Sequence, residues 1–191
     1  MRMDLIIVGV GGQGILLASR VMGRLAMNAG RDVKVSEVHG MSQRGGDVIT
    51  HVRIAEAVQS PLIEEGKADA MIAFERMEAV RALPYLKKGG LIVVNTQKIA
   101  PAPVLAGAAE YPEGLLDALE SAGELLALDA QHIAKKLKAP RAVNIILLGA
   151  FARRRGGDQA AWLEAVSACV PPRTVEANLS AFLAGWEAAV Q

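Results

Sequence analysis

Cysteine occurs once, at position 169, in 191 residues. One thiol cannot close an internal disulfide, complete a structural zinc site or hold an iron–sulfur cluster, each of which needs further ligands. Its neighbours in "AVSACVPP" are apolar, so a buried, inert thiol is expected. An excess of one charge is also missing: 21 basic residues face 20 acidic ones, for a net charge of +1. A dedicated nucleic-acid binder would carry a basic stripe, so that function class is set aside. Long apolar runs are absent too. "AVNIILLGAFA", from Ala142, is interrupted by Asn144 and falls well short of the ~20 residues of a membrane helix. The opening "MRMDLIIVGVGG" imitates a leader peptide, but Asp4 breaks it and no small-residue cleavage site follows. A cytoplasmic protein with no membrane association is the expectation.

The composition that remains, 52% apolar and 21% charged, is that of a globular chain able to build a core. A chain of this length suits one domain over residues 1–191, burying roughly 70% of its unfolded surface. Apolar runs of strand length alternate with amphipathic stretches, the pattern of a parallel sheet covered by helices. Strands are expected at 4–10, 32–38, 47–55, 68–75, 90–96 and 124–130. In 47–55, Val48, Thr50, Val52 and Ile54 share one face while Ile49, His51 and Arg53 share the other. That strand follows its predecessor too closely for a crossover helix, which suggests an antiparallel excursion.

Helices are expected over 11–29, over "RMEAVRALPYLKKGG", over "QHIAKKLK", and from Ala142 onward. Residues 98–114 read as a loop or edge segment. The last helix repeats apolar residues at helical spacing, with Thr174 placed as N-cap. Trp162 and Trp186 sit on helices that offer apolar surface to a partner. The fold class is therefore α/β: a Rossmann-like three-layer domain, mostly parallel sheet with helices on both faces and a helical C-terminal part.

"VGVGGQG" sets Gly9, Gly11 and Gly14 in GxGxxG register between a strand and a helix. In that register the first glycine permits a tight turn, the second lets a pyrophosphate approach, and the third lets helix and strand close up. The helix N-terminus offers N–H groups to an anion. Glu37 stands roughly where a ribose-binding acid would, although 28 residues past Gly9, somewhat far for that motif. Three readings stay open: a phosphate-bearing ligand, NAD itself, or glycines that serve only packing.

"EVHGMSQRGGDVITHVRI" (37–54) is more specific than a dinucleotide fold requires. Arg44 beside Gly45 and Gly46 can present a guanidinium fork next to unencumbered backbone N–H groups, suited to phosphate or carboxylate. His39 before Gly40 is titratable and stands at a strand end, while Ser42 and Gln43 add neutral hydrogen bonds. A local turn with Arg44 salt-bridged nearby accounts for the same residues.

These segments, with "GVGGQGILLASRVMGRLAMNAG", "SPLIEEGKADAMIAFERMEAVRALPYLKKGGLIVVN", "NIILLGAF" and "VEANLSAFLAG", resemble the gamma domain of the 2-oxoacid:ferredoxin oxidoreductases, and within it the indolepyruvate type. The resemblance runs from about Leu5 to Gly185. It implies a role in converting a 2-oxoacid into an acyl-CoA, CO2 and reduced ferredoxin on thiamine diphosphate. This chain lacks the GDG-to-asparagine signature of thiamine enzymes and the cysteines of clusters. The resemblance therefore implies a large partner subunit carrying thiamine diphosphate, Mg2+ and iron–sulfur clusters, with ferredoxin reached through the complex. It implies no catalytic or metal-binding residue here and no activity in isolation. Gly9, Gly11, Gly12, Gly14, His39, Gly40, Ser42, Arg44, Gly45 and Gly46 become the expected cofactor-binding or interface residues, with coenzyme A the ligand. Asn144, Gly149, Asn178 and Phe182 match weaker positions and are expected to pack or cap helices. A free-standing NAD(P)-binding Rossmann protein is the competing expectation.

Overall fold

The computed structural model describes residues 2–40 and 46–190. Six strands form one sheet: β1 (Met3–Val10), β2 (Asp32–His39), β3 (Asp47–Ala55), β4 (Ala68–Ala73), β5 (Leu86–Asn95) and β6 (Glu124–Leu128). Their spatial order is β2-β3-β1-β4-β5-β6. From β1 through β6 the pairing is parallel, whereas β3 runs antiparallel to both β1 and β2. The short 39-to-47 link leaves no room for a crossover helix, so β3 returns as a hairpin and wedges between β2 and β1. His39 is level with Val48, and Val48 with Gly9, so the hairpin connector emerges at the same end as the carboxyl ends of the parallel strands.

β1 is apolar at consecutive positions because both of its faces are covered. Leu5 and Ile7 join the core under α1 (Ile15–Asn28), α5 (Ala130–Lys136), α6 (Val143–Arg154), α7 (Gln159–Cys169) and α8 (Val175–Ala188). Ile6 and Val8 join a smaller core under α2 (Arg76–Arg81) and α4 (Leu115–Ala122). A short α3 (Ala102–Leu105) interrupts the loop expected at 98–114.

α6 explains the longest apolar run: Asn144 through Ala152 are all buried, because the helix lies in the interior rather than on a face. It can do so because α8 approaches with almost nothing between the backbones. A methyl group on Gly149 would overlap the Phe182 carbonyl, and one on Gly185 would overlap that of Ile146. Phe182 is fully buried and stacks on Trp162, with ring centroids 6.0 Å apart. Trp162 is itself buried and so offers no partner surface, whereas Trp186 is half-buried, packed against the core beneath Arg153.

Local chemistry refines three expectations. The helix expected through "RMEAVRALPYLKKGG" ends at Arg81; Leu83–Tyr85 is a single 3-10 turn around Pro84, and Leu86 already belongs to β5. Pro84 lacks the N–H that a continuing helix would need. Thr174 stands at the N-cap of α8 as expected, but its side chain caps no amide: the hydroxyl donates to Pro171 O, while Asn178 Nδ2 donates to Thr174 O. Cys169 is half-buried rather than enclosed, its Sγ 3.6 Å from Arg20 O, and burial raises its pKa so the thiol stays protonated.

His51 on β3 is buried, accepts the Ile63 N–H at Nδ1 (3.2 Å) and meets Tyr85 edge-on. Burial lowers its pKa from 6.5, which keeps the ring neutral and its Nε2 protonated.

Two predictions follow from the packing and from this histidine. Gly149→Ala and Gly185→Ala should each destabilise by about 1–3 kcal/mol through overpacking, seen as a lower denaturation midpoint. Gly23→Ala, mid-α1 with nothing within 4 Å of the added carbon, should stabilise by about 0.5–1 kcal/mol. The unfolded chain takes up a proton at His51 near pH 6.5, before the folded chain does. Stability should therefore decline as pH falls below that value, and His51→Gln should flatten the decline in urea titrations across pH.

Candidate functional site

The carboxyl ends of β1, β4, β5 and β6 form a common rim, where open α/β sheets place ligands. At β1 the chain leaves Val10 through a turn made by Gly11 to Gly14 and enters α1. Gly9 is a packing residue rather than a turn former: a Cβ there would sit 2.6 Å from Gln13 Oε1 and 3.0 Å from Phe74 Cβ. Gly14 holds a left-handed conformation (φ 85) and lies against α6, where a Cβ would be 2.5 Å from Asn144 Nδ2. The third glycine of the motif thus allows helix to approach helix. Asn144 fixes that approach by donating to Gly14 O at 3.0 Å.

Gly11 and Gly12 differ from these. Gly12 has φ 93 and open space around it, and a Cβ on Gly11 would meet only Gly46 O, at an ordinary 3.8 Å. The Gly11 N–H donates to Gly46 O at 3.0 Å, which joins the glycine turn to the β2–β3 connector. The amides of Gly12, Gly14, Ile15 and Leu16 find no acceptor among the described residues. A left-handed turn followed by free N–H groups at a helix start accommodates an anion, so this end of the molecule fits a phosphate-bearing ligand.

Of the other expected site residues, Gly40 closes the hairpin: its N–H donates to Asp47 O at 2.9 Å, and a side chain there would strike the Asp47 carboxylate. His39 is exposed, with Nε2 2.6 Å from Glu37 Oε1. Ser42, Arg44 and Gly45, with Gln43, lie outside the described residues.

Glu37 is not placed as a ribose ligand. β3 separates its strand from β1, and two strand spacings of about 4.8 Å put it roughly 10 Å from the glycine turn's strand. Its carboxylate is also engaged by His39 and, at 3.4 Å, by the Thr50 hydroxyl. The NAD(P) expectation fails on this strand order.

Polar residues just past each parallel strand knit the rim together. Gln13 Oε1 accepts the Val10 N–H at 2.7 Å, and its Nε2 donates to Phe74 O and Gln97 Oε1, both at 3.1 Å. Gln97 Oε1 also accepts from Gln131 Nε2. Asn95, fully buried, donates to Phe74 O and accepts the Ala130 N–H. One amide string therefore runs from β1 to α5.

Beside it, fully buried Glu75 caps α2 through the Met77 and Glu78 amides and accepts from Ile99 N and the Tyr111 hydroxyl. Burial, then the bond to Glu75, pushes the Tyr111 pKa up to about 12, so it remains a donor. Arg76 and Lys98 both lie over the Tyr111 ring, at 5.3 and 4.4 Å from its centre. Glu78, also buried, has its pKa raised by burial, with Asp47 and Glu75 adding to the rise and Arg81 opposing it.

The sequence reading passed over Gln13, Glu75, Asn95, Gln97, Tyr111 and Gln131. Their common signal was available: Gln13, Glu75 and Gln97 each follow a buried apolar strand within three residues. Gln13→Glu would replace the amide donor with an acceptor facing two carbonyl oxygens. A loss of about 1–3 kcal/mol in chemical denaturation is expected, with faster hydrogen exchange at Val10; an unchanged midpoint would contradict the bridge.

Known proteins share the sequence and the fold. The profile of the pyruvate ferredoxin/flavodoxin oxidoreductase family matches residues 4–188. Indolepyruvate oxidoreductase subunit IorB of Thermococcus kodakarensis is 41% identical over 194 residues, covering 97% of this chain and 95% of that one. The keto/oxoacid ferredoxin oxidoreductase gamma subunit from Geobacter sulfurreducens superposes with a TM-score of 0.74 at 25% identity, covering 99% of both chains. The 2-oxoglutarate:ferredoxin oxidoreductase from Magnetococcus marinus, solved with 2-oxoglutarate, coenzyme A and succinyl-CoA, shares the fold. Its TM-score is 0.74 at 20% identity, and the match covers 99% of this chain but 31% of that longer one. Both the full-length sequence match and the shared sheet lead to one conclusion: the chain belongs to the pyruvate ferredoxin/flavodoxin oxidoreductase family.

Proposed function

We propose that this chain is the small, non-catalytic subunit of an indolepyruvate-type 2-oxoacid:ferredoxin oxidoreductase, a single gamma-type domain over residues 1–191. The observation that carries the reading is the end-to-end match to an indolepyruvate oxidoreductase subunit, in a chain with one cysteine and no thiamine signature. Thiamine diphosphate, Mg2+ and iron–sulfur clusters then belong to a large partner subunit, which passes electrons to ferredoxin. Such a partner makes no demand for a membrane or a nucleic acid, and no helix among the described residues is long and apolar enough to cross a membrane.

The glycine turn and the hairpin connector supply this subunit's share of a coenzyme A site at the interface. When bound, coenzyme A contributes the thiol that accepts the acyl group. The chain's own part is to receive its phosphates. The amides of Gly12, Gly14, Ile15 and Leu16, without an acceptor among the described residues, are left to bind those phosphates, and Gly11 fastens the turn to Gly46. Arg44, beside Gly45 and Gly46, supplies the cation, with Ser42 and His39 as neighbouring hydrogen-bond partners. Gly9 and Gly40 keep the surrounding backbone close enough for these groups to converge.

The test is reconstitution. The isolated chain should reduce no ferredoxin with any 2-oxoacid, and co-expression with a cluster- and thiamine-bearing large subunit should yield activity with indolepyruvate. Turnover by the chain alone would overturn the reading. In the assembled enzyme Arg44→Ala should raise KM for coenzyme A ~30-fold, the equivalent of about 2 kcal/mol of lost charged hydrogen bonding, with a smaller change in kcat. An unchanged KM would move Arg44 out of the coenzyme site.

A further inference from the structure

From the start of α5 onward, the charge balance of the chain breaks down locally. Residues 130 to 157 contain seven Lys and Arg and no Asp or Glu. Four of those cations cluster at one corner: Lys135 and Lys136 in the last turn of α5, and Lys138 and Arg141 in the link from α5 to α6. All four are exposed, and none forms an ion pair among the described residues. Lys135 and Lys138 rim an open groove of about 400 Å3, whose floor is Ala134, Pro140 and Val143 and whose end is Gln131.

Two further features of that groove are costly for the chain on its own. The first is Gln131 Oε1, a buried oxygen without a hydrogen-bond donor. Its orientation is dictated from the far end of the amide string. The Val10 N–H requires the oxygen of Gln13, so Gln13 presents its nitrogen to Gln97, which must answer with oxygen. Gln131 must then turn its nitrogen toward Gln97, which strands its own oxygen. Flipping Gln131 would set two acceptors against each other.

The second is Lys138, the one non-glycine residue among the described residues with positive φ, at 54. It ends α5 as a Schellman turn, with Lys138 N–H on Lys135 O and Ala139 N–H on Ala134 O. That position ordinarily takes glycine, because an L side chain is strained there. Keeping a lysine at this strained position argues that its ammonium group is used, since none of the described residues forms an ion pair with it.

We infer that this groove is a docking site for an extended acidic segment of the large partner subunit, whose carboxylates pair with Lys135 and Lys138 and whose backbone N–H supplies the donor that Gln131 Oε1 lacks once docking displaces the atoms that cover that oxygen. The apolar floor suits an aliphatic side chain between the two acids. The inference rests on the subunit reading above and adds to it where the partner grips. Through Gln131, Gln97 and Gln13 the segment's hydrogen bond would join the same string that braces the glycine turn.

The experiment uses the reconstituted complex. Zero-length carbodiimide coupling followed by peptide mass spectrometry should find Lys135 or Lys138 joined to Asp or Glu of the large subunit. The double variant Lys135→Glu/Lys138→Glu should raise the dissociation constant at least ten-fold and flatten its dependence on salt. Gln131→Leu should weaken binding without altering the salt dependence, and Lys88→Glu, on an exposed lysine of β5, should change neither. If the wild-type chain associates with the large subunit while the double variant binds as tightly and no such cross-link forms, the groove is not the contact. If the wild-type chain associates with no such subunit, the subunit reading falls and this inference with it.

Discussion

The side chain of Gln13 satisfies three groups that belong to three different strand ends. It caps the last N–H of β1, the carbonyl past β4 and the amide past β5. Parallel strands leave their terminal backbone groups at a sheet rim without neighbours, and buried groups of that kind must be paired. Here one carboxamide does so, with Asn95 and Gln97 completing the job. Everything proposed for the rim presupposes it. The glycine turn has a fixed shape because its entry is tied to Gln13 and its exit to Asn144 of α6. Were either tie absent, the free amides at the start of α1 would have no common direction.

Rigidity on the helical side has a different source. α6 is buried on all sides and meets α8 across two glycines, so their separation is set by backbone contact rather than by side-chain repacking. The aromatic cluster of Phe151, Trp162, Phe182 and Trp186 fills the space that this approach leaves. The opposite face of the sheet, under α2 and α4, has a thinner cover and holds buried Glu75, Glu78 and His51 instead. The two sides of the sheet thus differ in kind: backbone contact sets the helix spacing on one, and buried ionisable groups sit beneath the other.

Much of this was legible in the residues, and what was not has identifiable causes. Strand positions followed from apolar runs because parallel strands are buried on both faces. β3 was recognisable as a reversal because no crossover fits between His39 and Asp47. The glycine motif was found but its parts were misassigned. The roles of Gly9 and Gly14 depend on Gln13, Phe74 and Asn144, and two of those three are distant in sequence. Glu37 failed as a ribose acid because strand order is a tertiary property that local spacing does not carry. The helix through Pro84 was overextended because amphipathic spacing continued past a residue that the backbone could not accept. Trp162, on a helix expected to offer apolar surface to a partner, is buried in the chain's own core, since an apolar helix face reads the same whether a partner or the chain itself covers it.

The reversed β3 has one more outcome. In a fully parallel sheet every link between neighbouring strands must cross a face beneath a helix, so its length is constrained by packing. Gly40 and Asp47, the two ends of the β2–β3 pairing, already meet at the rim, so joining them requires no passage across a face of the sheet. Residues can be gained, lost or exchanged there without shifting a register or displacing a helix. Evolution can thus retool the edge of the molecule that touches Gly11 while inheriting the remainder unchanged.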